Sequence, residues 1–208
     1  PNLIAPGEIL GVTLGLPHLA GPFLLTILAQ TLSTTVFWFG LKPDPLLLAQ
    51  KIDSEKRALQ RRKFREAIPI IKQKPIAAFA VISIALSHMV MVSVMSMTPA
   101  HLSITGHSLS DVGFTISLHV AGMYALSPIF GLISDRFGAR KTIILGQLIL
   151  LASLAVSGFG ANNFSMVVLG LFLLGLGWSS ATVAGSALLS ESLDISEKPV
   201  VQGLSDSL

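Results

Sequence analysis

The sequence predicts an all-α integral membrane protein with five transmembrane helices. Three observations carry that expectation. Of 208 residues, 51% are hydrophobic and only 12% are charged, about half the charged share of a soluble domain. Long charge-free apolar runs recur, each near the ~20 residues that a helix needs to cross a bilayer. Ten of the fourteen Lys and Arg residues fall in one window, residues 42–74, between two such runs. That asymmetry is the pattern of a cytoplasmic loop. The net charge of +3 is therefore not a nucleic-acid footprint, and no nucleic-acid partner is expected. Absence of cysteine excludes disulfides and thiolate metal sites.

Residues 1–19 are interrupted by proline, Glu8 and His18 and read as an external loop with room for a short interfacial helix. The first span is 20–41, with Trp38 as an interfacial anchor. Pro43 and Pro45 end it, since proline lacks an amide donor. Residues 42–75 form a basic cytoplasmic central loop, helical in composition over 52–71, whose cations suit anionic lipid headgroups. The remaining spans are 76–98, 112–133, 142–160 and 164–190. Residues 99–110 contain no Lys or Arg and are assigned outside, as is the Asn162-Asn163 turn; residues 135–141 and the polar tail from 191 are assigned to the cytoplasm. With this threading every Lys and Arg lies on one side of the membrane. In the last span Gly177, Ala181 and Gly185 recur every four residues, a small-residue stripe suited to close helix packing.

Two groups of residues go beyond a plain span. Residues 131–141 read Gly-Leu-Ile-Ser-Asp-Arg-Phe-Gly-Ala-Arg-Lys. Asp135 is placed to meet the positive end of the following helix, and Gly138 permits a tight reversal. The second group is Met91 and Met95, four apart on one helix face, with His119 and Met123, also four apart, on the next span. Thioether and imidazole ligands favour a soft cation such as Cu(I), and an intramembrane ionisable group such as His119 is a functional candidate by default. Methionine is equally a flexible filler of helix interfaces. His88, His101 and His107 are candidate proton or ion relay groups.

The charged turn resembles the signature of the major facilitator superfamily of secondary transporters. It matches at Gly131, Asp135, Arg136 and Gly138, departs at Ala139, and keeps a charge at Arg140. The resemblance implies a partial helical bundle: 76–208 would be part of the C-terminal half, the five spans would be helices six to ten, and the missing transporter helices would be partners. It also implies a gating role for Gly131, Asp135, Arg136, Gly138 and Arg140. Within the superfamily, the Met91/Met95 and His119/Met123 pairs are similar to the paired motifs of the CcoA-like bacterial copper importers. That likeness implies that these four residues bind copper, carried inward as substrate across a bacterial inner membrane by alternating access, with no cofactor. The alternatives are a carrier of a small organic solute, flavin-like or drug-like, and a non-transporting copper-site assembly factor. No enzyme is expected, because no nucleophile–base pair or carboxylate dyad lies in any span. No carboxylate for proton coupling lies in a span either, so either His88 or His119 titrates or the missing half of the transporter carries that duty.

Overall fold

The computed structural model describes residues 4–17, 20–42 and 66–207. They divide into two compact units, Pro1–Gln60 and Arg61–Leu208, and every described element is helical or a turn. Residues 43–65, most of the expected basic loop with Pro43 and Pro45, lie outside the described set, as does His18.

The first unit holds α1 (Ile4–Thr13) and α2 (Gly21–Gly40), so the expected external loop contains a short helix. Pro22 opens α2, where its missing N–H leaves no helical bond unmade. Gly7 and Gly11 of α1 lie against Pro22 and Gly21 so closely that a methyl on either would strike backbone. At the other end, the Lys42 ammonium sits 5.7 Å from the centre of the Trp38 ring, a cation–π contact.

The second unit contains α3 (Ala67–Gln73), α4 (Pro75–Ile104), α5 (Leu109–Tyr124), α6 (Ser127–Phe137), α7 (Ala139–Phe159), α8 (Phe164–Ser192) and α9 (Lys198–Asp206). Five segments are long and apolar enough to span a membrane: α2, α4, α5 with α6, α7 and α8. Their number agrees with the sequence, but their lengths do not. α4 runs six residues past the expected end at 98. Pro99 removes only the bond to the Met95 carbonyl, and the Thr98 hydroxyl donates to Val94 O at 2.8 Å, so the helix continues. The expected outer loop 99–110 shrinks to residues 105–108, and Ser108 and Asp111 form a reciprocal capping box that starts α5.

The expected single span 112–133 is two helices, broken at Ala125 and Leu126. Pro128 cannot donate to the Tyr124 carbonyl, and the Ser127 hydroxyl does so instead, at 2.8 Å. The expected turn 135–141 is mostly helical as well. Only Gly138 reverses the chain, at φ +95° and ψ +140°, a conformation that side-chain-bearing residues avoid. The tail after 190 is not a plain polar tail: α8 continues to Ser192 and α9 follows.

α8 is the centre of the second unit. Half of its most apolar window is buried, against 22–28% for the other three spans of this unit. Its small residues explain why. Gly177 and Ala181 meet Gly146 of α7, Gly185 meets Ile84 of α4, and Gly175 meets the His119 carbonyl of α5. The stripe read from sequence therefore serves two neighbours. Hydroxyl and amide bonds add ties between helices: Ser153 to Gly170 O at 2.7 Å, Ser180 to Thr142 O at 2.9 Å, and Gln147 to Ser87 Oγ at 2.8 Å. Each contributes on the order of 0.6 kcal/mol in a membrane.

At the basic end, Ala67 and Ile70 of α3, Ala77, Ala80 and Val81 of α4, Leu189 of α8, Leu193 just after it, and Val201 of α9 form one apolar cluster. Lys74 bonds Glu197 and lies 3.4 Å from Asp194. The Glu197 hydrogen bond is the main reason the Lys74 ammonium titrates above its ordinary value, and partial burial works against it. A raised lysine pKa adds stability that is complete below the unfolded value and lost as pH rises through the folded one. The contribution of this ion pair to holding α9 is therefore expected to be present at neutral pH and lost as the pH rises into the alkaline range. At neutral pH, Lys74→Gln is expected to speed amide exchange over Val201–Leu204 roughly two- to fivefold, measured on the full-length protein.

Candidate functional site

The Met91/Met95 and His119/Met123 pairs stand level along their helices. Counted at 1.5 Å per residue from the ends at Ile104 and Leu109, Met95 and His119 lie about 14 and 15 Å down. By the same rise, Met91 and Met123 lie about 20 and 21 Å down. The longer α4 brings Met91 and Met95 deeper than a helix ending at 98 would.

His119 and Met123 face α8 and are buried, at 1% and 8% exposure. His119 Nδ1 lies 2.8 Å from the Leu171 carbonyl. A carbonyl only accepts, so Nδ1 carries the hydrogen, and the opposite nitrogen, Nε2, is buried without a partner. Met95 packs on the cluster of Leu102, Val112, Val167 and Leu171, the last of which supplies the carbonyl that His119 meets. Met91 is half-buried one turn away and is not part of that cluster. No group of three His, Cys, Asp or Glu suited to a metal occurs among the described residues.

Two of the three candidate relay histidines are occupied structurally. His101 Nε2 donates to Ala161 O at 2.8 Å, and His107 stacks on Phe164 with ring centres 4.7 Å apart. Both fasten the α4–α5 corner to the α7–α8 corner. His88 is different: it accepts a hydrogen bond at its Nδ1 from Trp178 Nε1, at 3.2 Å. Trp178 in turn meets Tyr124 edge-on at 6.1 Å.

His88 and Trp178 line a cavity of about 220 Å³ between α4, α8 and α9. Thr182, Ser186, Gln202, Ser205 and Asp206 complete its polar wall, and the Thr182 hydroxyl is buried without a partner. The sequence reading missed Trp178, Tyr124 and Asp206. Trp178 was signalled by its place as a single tryptophan in a glycine- and serine-rich span. Asp206 was hidden because the short helix that carries it reads as tail. Its signal was the pattern Val200, Val201 and Leu204, an apolar face with Gln202 and Asp206 four apart beside it.

The motif residues of the charged turn form an exposed surface. Asp135, Arg136 and Arg140 are exposed, and the space beside Gly131 is open. Asp135 makes no side-chain hydrogen bond or ion pair among the described residues, so the expected contact with the next helix is not made by its side chain. Arg136 lies over the Phe137 ring at 5.7 Å.

Comparison with known proteins fits this architecture. The family pattern described as Major Facilitator Superfamily matches residues 77–207. The chain is 35% identical to the uncharacterized MFS-type transporter YddS of Bacillus subtilis, over all of this chain and 48% of that protein. It is 32% identical to the uncharacterized MFS-type transporter YdeG of the same organism, over all of this chain and 49% of that protein. A riboflavin transporter, RfnT of Brucella anthropi, is 30% identical over 122 residues, 58% of this chain and 30% of that protein. No solved structure matches. The chain spans about half the length of the first two relatives. With its five apolar helices, glycine-packed bundle and charged turn, the chain belongs to the Major Facilitator Superfamily of membrane transporters.

Proposed function

We propose that this chain supplies one wall of a solute path and that the solute is a small planar organic molecule. The observation that carries this reading is the cavity beside His88 and Trp178: an indole face backed by Tyr124 and ringed by hydroxyl, amide and carboxylate groups. Aromatic planes with a few convergent polar groups are how proteins hold flat heterocycles. At about 220 Å³ the cavity is smaller than the ~300–1,000 Å³ of sites for drug-sized ligands, as suits one wall of a site shared with the rest of the transporter. The similarity to a protein named as a riboflavin transporter makes flavin the first probe. Alternating access around a site between halves would carry it, with Asp135, Arg136 and Arg140 as contact points for the cytoplasmic gate.

A second reading, inward carriage of Cu(I), is favoured by one observation. His119 has its Nδ1 hydrogen fixed by a carbonyl and its Nε2 free, the arrangement of a ligating histidine. Met123, Met95 and Met91 lie within a turn or so of the same depth. Uptake by cells expressing the full-length protein separates the two. Riboflavin accumulation that survives Met91→Ala and His119→Ala supports the organic carrier. Copper accumulation that those substitutions abolish, with no riboflavin uptake, overturns it.

A further inference from the structure

A second cavity lies at the basic end of the bundle and shares no lining residue with the one beside Trp178. It is a groove of about 370 Å³ between the first turns of α4 and α7. Pro75, Ile76 and Phe79 of α4 line one side, Arg140 and Ile144 of α7 the other. Ile76, Phe79 and Ile144 are exposed. Gln147 lies about 10 Å beyond Arg140 along α7 and ties the two helices together. Its Nε2 donates to Ser83 O at 3.1 Å and to Ser87 Oγ at 2.8 Å.

Arg140 sets the charge of this groove. It makes no side-chain hydrogen bond or ion pair among the described residues. Lys74, by contrast, is engaged with Glu197 and Asp194, and Arg136 lies over the Phe137 ring. Among the described residues no acidic side chain lines the groove. Both helices begin here, and neither start carries a side-chain cap, so their positive dipole ends add to the Arg140 charge. A guanidinium holds phosphate oxygens through parallel N–H donors, while its methylene stem lies along apolar surface. The ammonium of a zwitterionic headgroup would find no carboxylate in this groove.

We propose that the groove between α4 and α7 binds one anionic phospholipid, with its phosphate on Arg140 and an acyl chain against Ile76, Phe79 and Ile144. Basic pockets between membrane spans suit anionic lipid headgroups. Chain and charge together select the occupant. A free phosphate would leave the three apolar side chains uncovered, and a zwitterionic lipid would leave the groove's positive charge uncompensated. A lipid seated there touches both helices and so adds a second link between α4 and α7 beside the Gln147 tie. The site is distinct from the solute path and does not depend on which solute is carried.

The test is native mass spectrometry of the full-length transporter, delipidated and then offered equal amounts of phosphatidylglycerol and phosphatidylcholine with the same acyl chains, one of them deuterated. Wild type is expected to retain phosphatidylglycerol over phosphatidylcholine by roughly fivefold. Arg140→Gln is expected to bring that ratio close to one. Ile76→Glu, which puts a carboxylate into the groove while Arg140 stays, is expected to do the same. Arg136→Gln removes an equal charge nearby but not from the groove, and is expected to keep the wild-type ratio. Thermal unfolding in phosphatidylcholine alone should be alike for wild type and Arg140→Gln, since this side chain has no partner to lose. Absence of a preference in wild type, as when another helix of the transporter fills the groove, overturns the proposal. So does a preference that survives Arg140→Gln, or one that Arg136→Gln lowers equally, which is plain surface charge. Displacement of the lipid by water-soluble glycerol phosphate overturns the role of the apolar wall.

Discussion

Gly175→Leu is expected to destabilise the folded transporter strongly. A methyl placed on Gly175 falls on the His119 carbonyl oxygen, and Met123 N lies 3.0 Å from it. The obstructing atoms are backbone, so no rotamer change relieves the clash. Overpacking a core costs about 1–3 kcal/mol where side chains can shift; here α5 itself must move off α8, which places the effect at or above the top of that range. The displacement also breaks the bond from His119 to Leu171 and opens the seat of Met123. Thermal unfolding of the purified full-length protein should show a large loss of stability. Gly158→Leu is the control, because the space beside Gly158 is open and its unfolding should stay close to wild type.

Trp178→Ala is expected to leave the bundle assembled and weaken solute binding. Trp178 sits on the cavity side of α8, while the contacts that hold α8 to α7 and α5 run through Gly146, Gly177, Ala181 and Gly175. Loss of the indole removes an aromatic face worth about 1.5 kcal/mol to a stacked ring, close to a tenfold weaker Kd. Fluorescence titration of the full-length protein with riboflavin reads this directly. Trp178→Phe, which keeps a ring and loses the N–H, is expected to fall between the two.

How much of this was legible in the sequence depends on what each residue needed from its neighbours. The five apolar segments, the turn at Gly138 and the packing role of Gly177, Ala181 and Gly185 were readable, because span length, backbone freedom and side-chain size are local properties. Boundaries were less so. Pro99 looked like a stop, but a proline costs a helix one donor, and Thr98 beside it holds the preceding turn. Pro128 did break its helix, and Ser127 satisfies the carbonyl it frees. Nothing in the spacing of apolar residues distinguishes the two prolines.

The candidate site divides along the same line. His119 was legible as an unusual intramembrane residue, but not the carbonyl that fixes its tautomer, because Leu171 lies 52 positions away. His101 and His107 read as outer-loop histidines and His88 as a histidine within a span; tertiary contacts give the first two fastening roles. Asp206 was invisible as a cavity group, since only the packing of Val201 and its neighbours against α3 and α4 brings that short helix beside His88.

The most direct test of the solute path is ligand-dependent unfolding of the full-length transporter with riboflavin and with Cu(I) as separate probes. The proposed solute path predicts that riboflavin raises the Tm of wild type, that Trp178→Ala loses most of that rise, and that His119→Ala keeps it. Stabilisation by Cu(I) alone, lost in His119→Ala and Met91→Ala and retained in Trp178→Ala, would contradict it.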